Sequence, residues 1–548
     1  MSADLYGQDG KPLGHAQVDG AADSVLSLVD ELSLSLVREI WRSKEPVPSL
    51  RVSGLTTTSL AAMREYLVGE QHYRRSEWDS AAAAFTRAIE QDSTFALAHY
   101  RLASSVGWSG GLTAVDALKA GDAALRFSDR LPPREQTLVR AYNLFQHQRL
   151  AATDSARAYV RKYPDDVDGW FLLGETQYHT RELVGYDPAT LRAPFDSVLA
   201  RDSTLTPASI HPIEIAVQSR DKPAYERYLR VLESSGNAQE NLAYLGAGEM
   251  VFGQGVGDSA TAAAMTRYGG TLGAVLGGLY AGEITGDSVT TRFDRWQLLS
   301  TLLPAGGEEQ YLVGKGITLG GLGRLRAAEA IADTLTQRKS EQGQAAVMLP
   351  LLLGFAPPAY QPPAITGFLN APRSNPFQVY LVVIFALNRG ERAEGARLSD
   401  SLLAHQSPNM PPQFWELVRA AKGWSVMMGG DSTAGILAMR TALENVGGGW
   451  NPFLTAPLRL QLAAALAQRP ATREQGRQIL EYGFTADVGV APIALYALGR
   501  AEEAAGNRSA AAAAYGQFLR LWDKADPMLL PRITEVREAL KRVTGEGK

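Results

Sequence analysis

Apolar and small residues recur along this chain at helical spacings rather than in strand alternation. Between Ser24 and Trp41, Leu28, Leu32, Leu36 and Ile40 fall four residues apart, which predicts a helix. From Thr58 onward the pattern is richer. Gly69 is followed by Ala81, Phe85 and Ala88, at offsets of 12, 16 and 19 residues. The same offsets return as Gly499, Ala511, Tyr515 and Phe518, and more loosely as Gly423, Gly435, Met439 and Ala442. Trp170, Leu173-Gly174 and Tyr178 repeat part of the motif.

Two antiparallel helices approach closely only where small side chains face each other at the crossing. Gly69, Gly174 and Gly499 supply that position on a first helix, and Ala81 and Ala511 on a second. Phe85, Tyr515 and Trp170 are then the large residues that fill the space between pairs. Gly390-Glu391, Gly430-Asp431 and Gly506-Asn507 read as the turns, because glycine can end a helix in the left-handed conformation. A longer echo keeps the register: Phe85, Ala88 and Asp92-Ser93-Thr94 match Phe195, Val198 and Asp202-Ser203-Thr204, 110 residues later. This arrangement fits the helix–turn–helix of the tetratricopeptide repeat, ~34 residues long. The expected fold is therefore all-α, a right-handed solenoid of antiparallel helix pairs. At ~34–40 residues a pair, about a dozen pairs are expected.

The chain also resembles the tetratricopeptide region attached to bacterial serine/threonine protein kinases and to some winged-helix transcriptional regulators. The resembling residues are Leu55-Thr56-Thr57-Thr58-Ser59-Leu60, Tyr66-Leu67, Gly69-Glu70 and Asp92-Ser93-Thr94-Phe95-Ala96. Tyr163-Pro164-Asp165-Asp166, Leu521-Trp522 and Ala525-Asp526-Pro527 extend them. The resemblance runs from about Asp23 onward and implies a regulatory or sensory repeat region. It carries no catalysis over, since neither His-Arg-Asp nor Asp-Phe-Gly occurs.

Along the chain, residues 1–55 hold a short hairpin with an Asp9-Gly10 turn, the remnant of an upstream α/β domain in this reading, and a lead helix that ends before Pro46 and Pro48. Residues 56–236 form a first solenoid. Residues 237–345 are Gly/Ala-rich helical repeats with a second-helix pattern at Leu319 to Leu335. Residues 346–376, with Pro350, Pro357, Pro358, Pro362, Pro363 and Pro376, form a joint. Residues 377–548 are a second solenoid, closed by a capping helix beyond Pro527 and Pro531.

Composition narrows the function. A net charge of −4 and a pI near 6.1, with no basic run, argue against nucleic acid as partner, helical-repeat RNA readers included. The absence of cysteine removes disulfides, thiolate catalysis and Cys-based zinc sites. Met1 to Gly20 carries no apolar signal core, and the longest uncharged stretch, which includes Gln344 to Pro372, is interrupted by proline. Read as written, the chain is a cytoplasmic protein without membrane insertion; a missing upstream span would place it outside.

Candidate chemistry is sparse. Gly107-Trp108-Ser109-Gly110-Gly111 matches the nucleophile elbow of serine hydrolases, yet the preceding Ala98 to Val106 reads as helix where the elbow needs a strand. A glycine-rich loop between helices is the expectation there, with a hydrolase using Ser109 as the remote alternative. The histidines show no His-Glu-x-x-His, and Gly253, Gly255 and Gly257 lack the rest of a nucleotide loop. No cofactor or metal is expected, and no enzyme. What remains is the inner surface of the first helices, where Tyr66, Glu70, Tyr73, Arg74, Tyr100, Trp108, Phe171, Glu175, Tyr178 and His179 are the candidate anchors for a protein or peptide. The same rings serve equally well as packing between repeats. The set lacks the Lys/Asn pattern that clamps a carboxylate tail. The functional expectation is a binding scaffold, with a detached sensory region of a kinase or regulator as the alternative.

Overall fold

The computed structural model describes residues 1–6, 12–20, 56–236 (apart from 58, 113 and 148), 307–340, 375–446, 452–484 and 489–545, with isolated positions between them. The lead helix beyond Leu32, the Gly/Ala-rich stretch near 253–286 and most of the proline-rich joint lie outside the described residues. So does the Asp9-Gly10 turn. Its two strands, β1 Ser2–Tyr6 and β2 Pro12–Gln17, pair antiparallel with Ser2 opposite Gln17.

Everything else described is helical. In chain order the helices are α1 Leu60–Arg74, α2 Trp78–Gln91, α3 Ala96–Gly110, α4 Val115–Arg126, α5 Pro133–His147, α6 Arg149–Lys162 and α7 Val167–Val184. Next come α8 Pro188–Arg201, α9 Pro207–Gln218, α10 Lys222–Glu233, α11 Gly307–Gly321 and α12 Leu325–Gln337. After these follow α13 Pro376–Asn388, α14 Arg392–Ala404, α15 Pro412–Met428, α16 Ser432–Val446 and α17 Pro452–Ala467. The last are α18 Arg473–Tyr482, α19 Ala491–Ala505, α20 Arg508–Leu521 and α21 Leu530–Thr544. The stretch Leu319 to Leu335, expected as one second helix, is instead the end of α11, a turn and most of α12.

The repeat offsets have a direct structural cause. A Cβ placed on Gly69 would sit 2.6–2.8 Å from the ring of Phe85. On Gly174 it would meet Phe195 at 2.7–2.9 Å, and on Gly499 it would meet Tyr515 at 2.4–3.0 Å. Carbon atoms rest ~3.5–4.0 Å apart, so only glycine admits the ring. Phe85, Phe195 and Tyr515 are each fully buried, and burying such a ring contributes about 1.5–3 kcal/mol. Trp170 does not share this role. It is half-buried, donates from Nε1 to the Pro164 carbonyl at 2.9 Å, and lies beneath the Arg201 guanidinium. The ring for Gly174 is Phe195, five residues further along than the common offset.

The turns follow the sequence. Gly390, Gly430 and Gly506 have φ of +81°, +104° and +81°. At the turns after α1 and α9, Ser76 and Arg220 adopt φ of +59° and +56° despite their side chains, and Lys339, after α12, adopts +59°. The echoed Asp-Ser-Thr triplets build one turn twice. Asp92 Oδ1 accepts from the Thr94 amide and hydroxyl at 3.0 and 2.7 Å, and Asp202 Oδ1 from those of Thr204 at 3.1 and 2.6 Å.

The chain divides into two compact units. The first comprises Met1–Thr176, Arg192–Pro212 and Arg227–Glu240. The second comprises Gln177–Leu191, Ile213–Glu226 and Asn241–Lys548. In the first, the turn after α1 is tied to the turn after α8. Arg74 Nη1 donates to Asp202 at 2.7 Å and to Thr204 at 3.0 Å, and the Thr206 amide and hydroxyl donate to the Arg74 carbonyl. In the second, Trp522 Nε1 donates to the Gly321 carbonyl at 2.9 Å, and Asp526 accepts from the Arg326 amide at 2.8 Å. Among the described residues no helix is long and apolar enough to cross a membrane.

Candidate functional site

The ten residues expected as groove anchors are all ordered by packing. Eight of them, Tyr66, Glu70, Tyr73, Arg74, Tyr100, Phe171, Glu175 and Tyr178, are buried; Trp108 and His179 are half-buried. Their surroundings explain why. Tyr66 lies between the rings of Phe85 and Phe95, at 5.4 and 5.0 Å. Glu70 pairs with Arg101 Nε, whose Nη2 reaches both oxygens of Asp168 at 2.9 and 3.1 Å. The Tyr73 hydroxyl shares a hydrogen bond with Ser104 Oγ at 2.8 Å, and the Arg101 guanidinium lies over the Tyr73 and Tyr100 rings.

Tyr100 meets Tyr142 edge-on, Phe171 meets Phe195 edge-on, and Trp108 stacks between Trp78 and His211. Glu175 Oε1 lies 3.5 Å from His211 Nε2. Tyr178 donates to Glu214 at 2.6 Å and meets the half-buried His179 edge-on. Arg74 has been described above. Burial pushes the Tyr66, Tyr73 and Tyr100 phenols above their usual range, so they act as neutral hydrogen-bonding groups and not as acids.

The positions three before, one after and four after Gly69 are Tyr66, Glu70 and Tyr73. The last two reach Arg101 and Ser104 on α3, the first helix of the next pair. The equivalent positions around Gly499 behave alike: Tyr496 bonds Glu535 and Glu503 bonds Arg542, both on α21. This stripe contributes to the joint between successive pairs, the packing role that the sequence left open for these rings.

Ser109 is exposed in the last turn of α3, and its hydroxyl points to the Val106 carbonyl at 3.5 Å. Gly107 to Gly110 are helical and Gly111, at φ +100°, ends the helix. The segment is neither the expected loop nor the strand-to-helix turn that a nucleophile elbow requires.

A concave site does occur in the second unit, among α18, α19 and α20. A cavity of about 300 Å³ is walled by Leu480, Leu495, Leu498 and Leu521, floored by small alanines of α19 and α20, and bordered by Arg477, Glu481, Glu502 and Gln517. Arg477 donates through Nη2 and Nε to Glu474 at 2.8 and 3.0 Å, and through Nη1 to Glu481. Its Nε stands 3.7 Å from Glu502 Oε1, beyond hydrogen-bond length. Glu502 is only 3% exposed, and its other oxygen accepts from Asn507 Nδ2 at 2.7 Å. The hydrogen bond from Arg477 holds the Glu474 carboxyl below its usual range, and Arg477 in turn holds its proton more tightly than usual.

Sequence reasoning missed this site. Its α19 residues Leu495, Leu498 and Glu502 lie four before, one before and three after Gly499, on a different stripe from the one chosen at Gly69. The clustered charges of Arg473-Glu474, Arg477 and Glu481 beside Glu502-Glu503 were the available signal.

No family model matches the chain, and no curated protein matches it. Several solved structures align over most of its length. The Cut9–Hcn1 hetero-tetramer of the APC/C aligns at 13% identity and a TM-score of 0.33, over 90% of each chain. A human IFIT1 dimer with PPP-AAAA aligns at 10% identity and 0.23, over 88% of this chain and 96% of that one. The P58(IPK) TPR domain aligns at 10% and 0.17, over 88% and 98%. Superpositions at these scores carry no weight, and the fold is established by the packing of the helix pairs themselves. By that packing, with glycine lying beneath an aromatic ring at a recurring offset, the chain is an all-α protein of repeated antiparallel helix pairs.

Proposed function

We propose that this protein is a non-catalytic interaction scaffold that binds a protein or peptide segment, and that the cavity among α18, α19 and α20 is where the segment docks. One observation carries the reading: an apolar-walled concavity of about 300 Å³ is bordered by the Arg477, Glu481 and Glu502 side chains. Ligand sites are typically concavities of ~300–1,000 Å³, mostly apolar, with a few convergent polar groups. The inner stripe of the first unit is consumed by joints between pairs, which directs attention to the second.

The test is panning of the full chain against a phage-displayed random dodecapeptide library. Ala513, exposed on the rim of the cavity, is replaced by tryptophan in a parallel selection. Peptides enriched by the native chain and lost with Ala513→Trp support docking here. Enriched peptides that bind Ala513→Trp equally well would move the site elsewhere, and no enrichment would argue against a peptide-binding role.

A further inference from the structure

We infer that the docked segment inserts a lysine or arginine side chain into this cavity, its aliphatic stem along Leu495, Leu498 and Leu521 and its charged head between Glu481 and Glu502. The inference rests on the reading of the cavity as a docking site and adds the chemistry of its occupant. Charge comes first. Among the charged residues that line the cavity, the carboxylates of Glu481 and Glu502 exceed the single guanidinium of Arg477 by one negative charge, and Glu474 bonds the same guanidinium from outside the cavity. An anionic or carboxylate-tailed ligand would meet repulsion, while a cation completes the cluster.

Shape comes second. The side chains that fit an apolar wall ending in carboxylates are long, apolar along the stem and charged at the tip, which describes lysine and arginine. Glu502 leads this recognition. It is held by Asn507 through one oxygen, while the other has only the distant Arg477 Nε beside it. A carboxylate oxygen held in place at the cavity border without a close donor is well placed to accept a charge-assisted hydrogen bond. The Gln517 amide at the border offers both a donor and an acceptor to the segment's backbone.

The sequences recovered from the dodecapeptide panning supply the test. A fluorescent peptide of the recovered consensus is titrated by anisotropy against the native full chain, Glu502→Gln and Arg477→Gln. Glu502→Gln keeps the size of the side chain and an acceptor for Asn507. Circular dichroism confirms folding of each variant. The expected result is a consensus with a central Lys or Arg and an affinity about ten- to a hundredfold weaker for Glu502→Gln. Arg477→Gln, which removes the competing cation, should bind more tightly, and norleucine in place of the peptide's basic residue should abolish the difference between native chain and Glu502→Gln.

Peptides that depend on the cavity, being lost with Ala513→Trp, yet carry no basic residue would overturn the inference and leave the docking site standing. Equal affinity of native chain and Glu502→Gln for a basic peptide would do the same. Failure to recover any peptide would overturn both.

Discussion

Gly499→Ala and Gly516→Ala make the same chemical change in two adjoining helices and should move stability in opposite directions. Both exchange glycine for the best helix former, a gain of about 0.5–1 kcal/mol in a helix interior. At Gly516 the new Cβ meets only the flexible end of Arg520, at 3.7 Å, so the gain is kept. At Gly499 it would stand 2.4 and 2.5 Å from ring atoms of Tyr515. That ring is fully buried and tethered through its hydroxyl to Glu503 at 2.8 Å, so it cannot swing aside. Overpacking of this kind costs about 1–3 kcal/mol, which leaves Gly499→Ala destabilised by roughly 0.5–2 kcal/mol. The two variants should differ by about 1–3 kcal/mol, a difference from which helix propensity cancels. A long repeat chain need not unfold in one step, so the assay is native-state hydrogen exchange read over Ala491–Leu521. Gly499→Ala as well protected as Gly516→Ala would refute the claim that the glycine–ring contact sets the repeat.

Three further outcomes are expected. Phe85→Ala empties the space over Gly69 and should cost about 3–5 kcal/mol in urea denaturation followed in the first unit. Burial raises the Asp202 carboxyl, but the Arg74 guanidinium and the Thr204 hydroxyl outweigh it and hold the group below its usual value of ~3.9. A depressed carboxyl stabilises the fold above that value and loses its contribution as pH falls through the folded one. Asp202→Asn should therefore be weaker at pH 7 by on the order of 3 kcal/mol, and its stability should fall less than the native chain's on acidification. Lys339 is exposed at φ +59°, so Lys339→Gly should relieve left-handed strain of ~1 kcal/mol, offset in part by glycine's greater freedom when unfolded, and raise the melting temperature slightly.

The repeat was legible in the sequence because it rests on contacts that tolerate few substitutes. Gly69 and Phe85, or Gly499 and Tyr515, must keep their spacing for a ring to lie on bare backbone, and that spacing survives where little else does. The turns were legible at Gly390, Gly430 and Gly506 for the same reason. They were hidden at Ser76 and Arg220, where the flanking helices hold a non-glycine residue in the same conformation.

The sequence left Tyr66, Glu70 and Tyr73 open as groove anchors or as packing between repeats, and Glu70 and Tyr73 bond Arg101 and Ser104 of the next pair. Aromatic and charged residues recur in both settings, and composition does not separate an anchor from a joint. The cavity went unnoticed because its walls are leucines and alanines of ordinary core type, and its one distinctive feature, three carboxylates around Arg477, is assembled from two helices.

A peptide segment docked among α18, α19 and α20 would shield the backbone of those helices. Hydrogen exchange of the full chain, with and without a saturating panned peptide, reads that shielding. Docking there should bring new protection confined to Arg473–Tyr482 and Ala491–Leu521. Protection instead over Leu60–Arg74 and Ala96–Gly110, with those two segments unchanged, would contradict it.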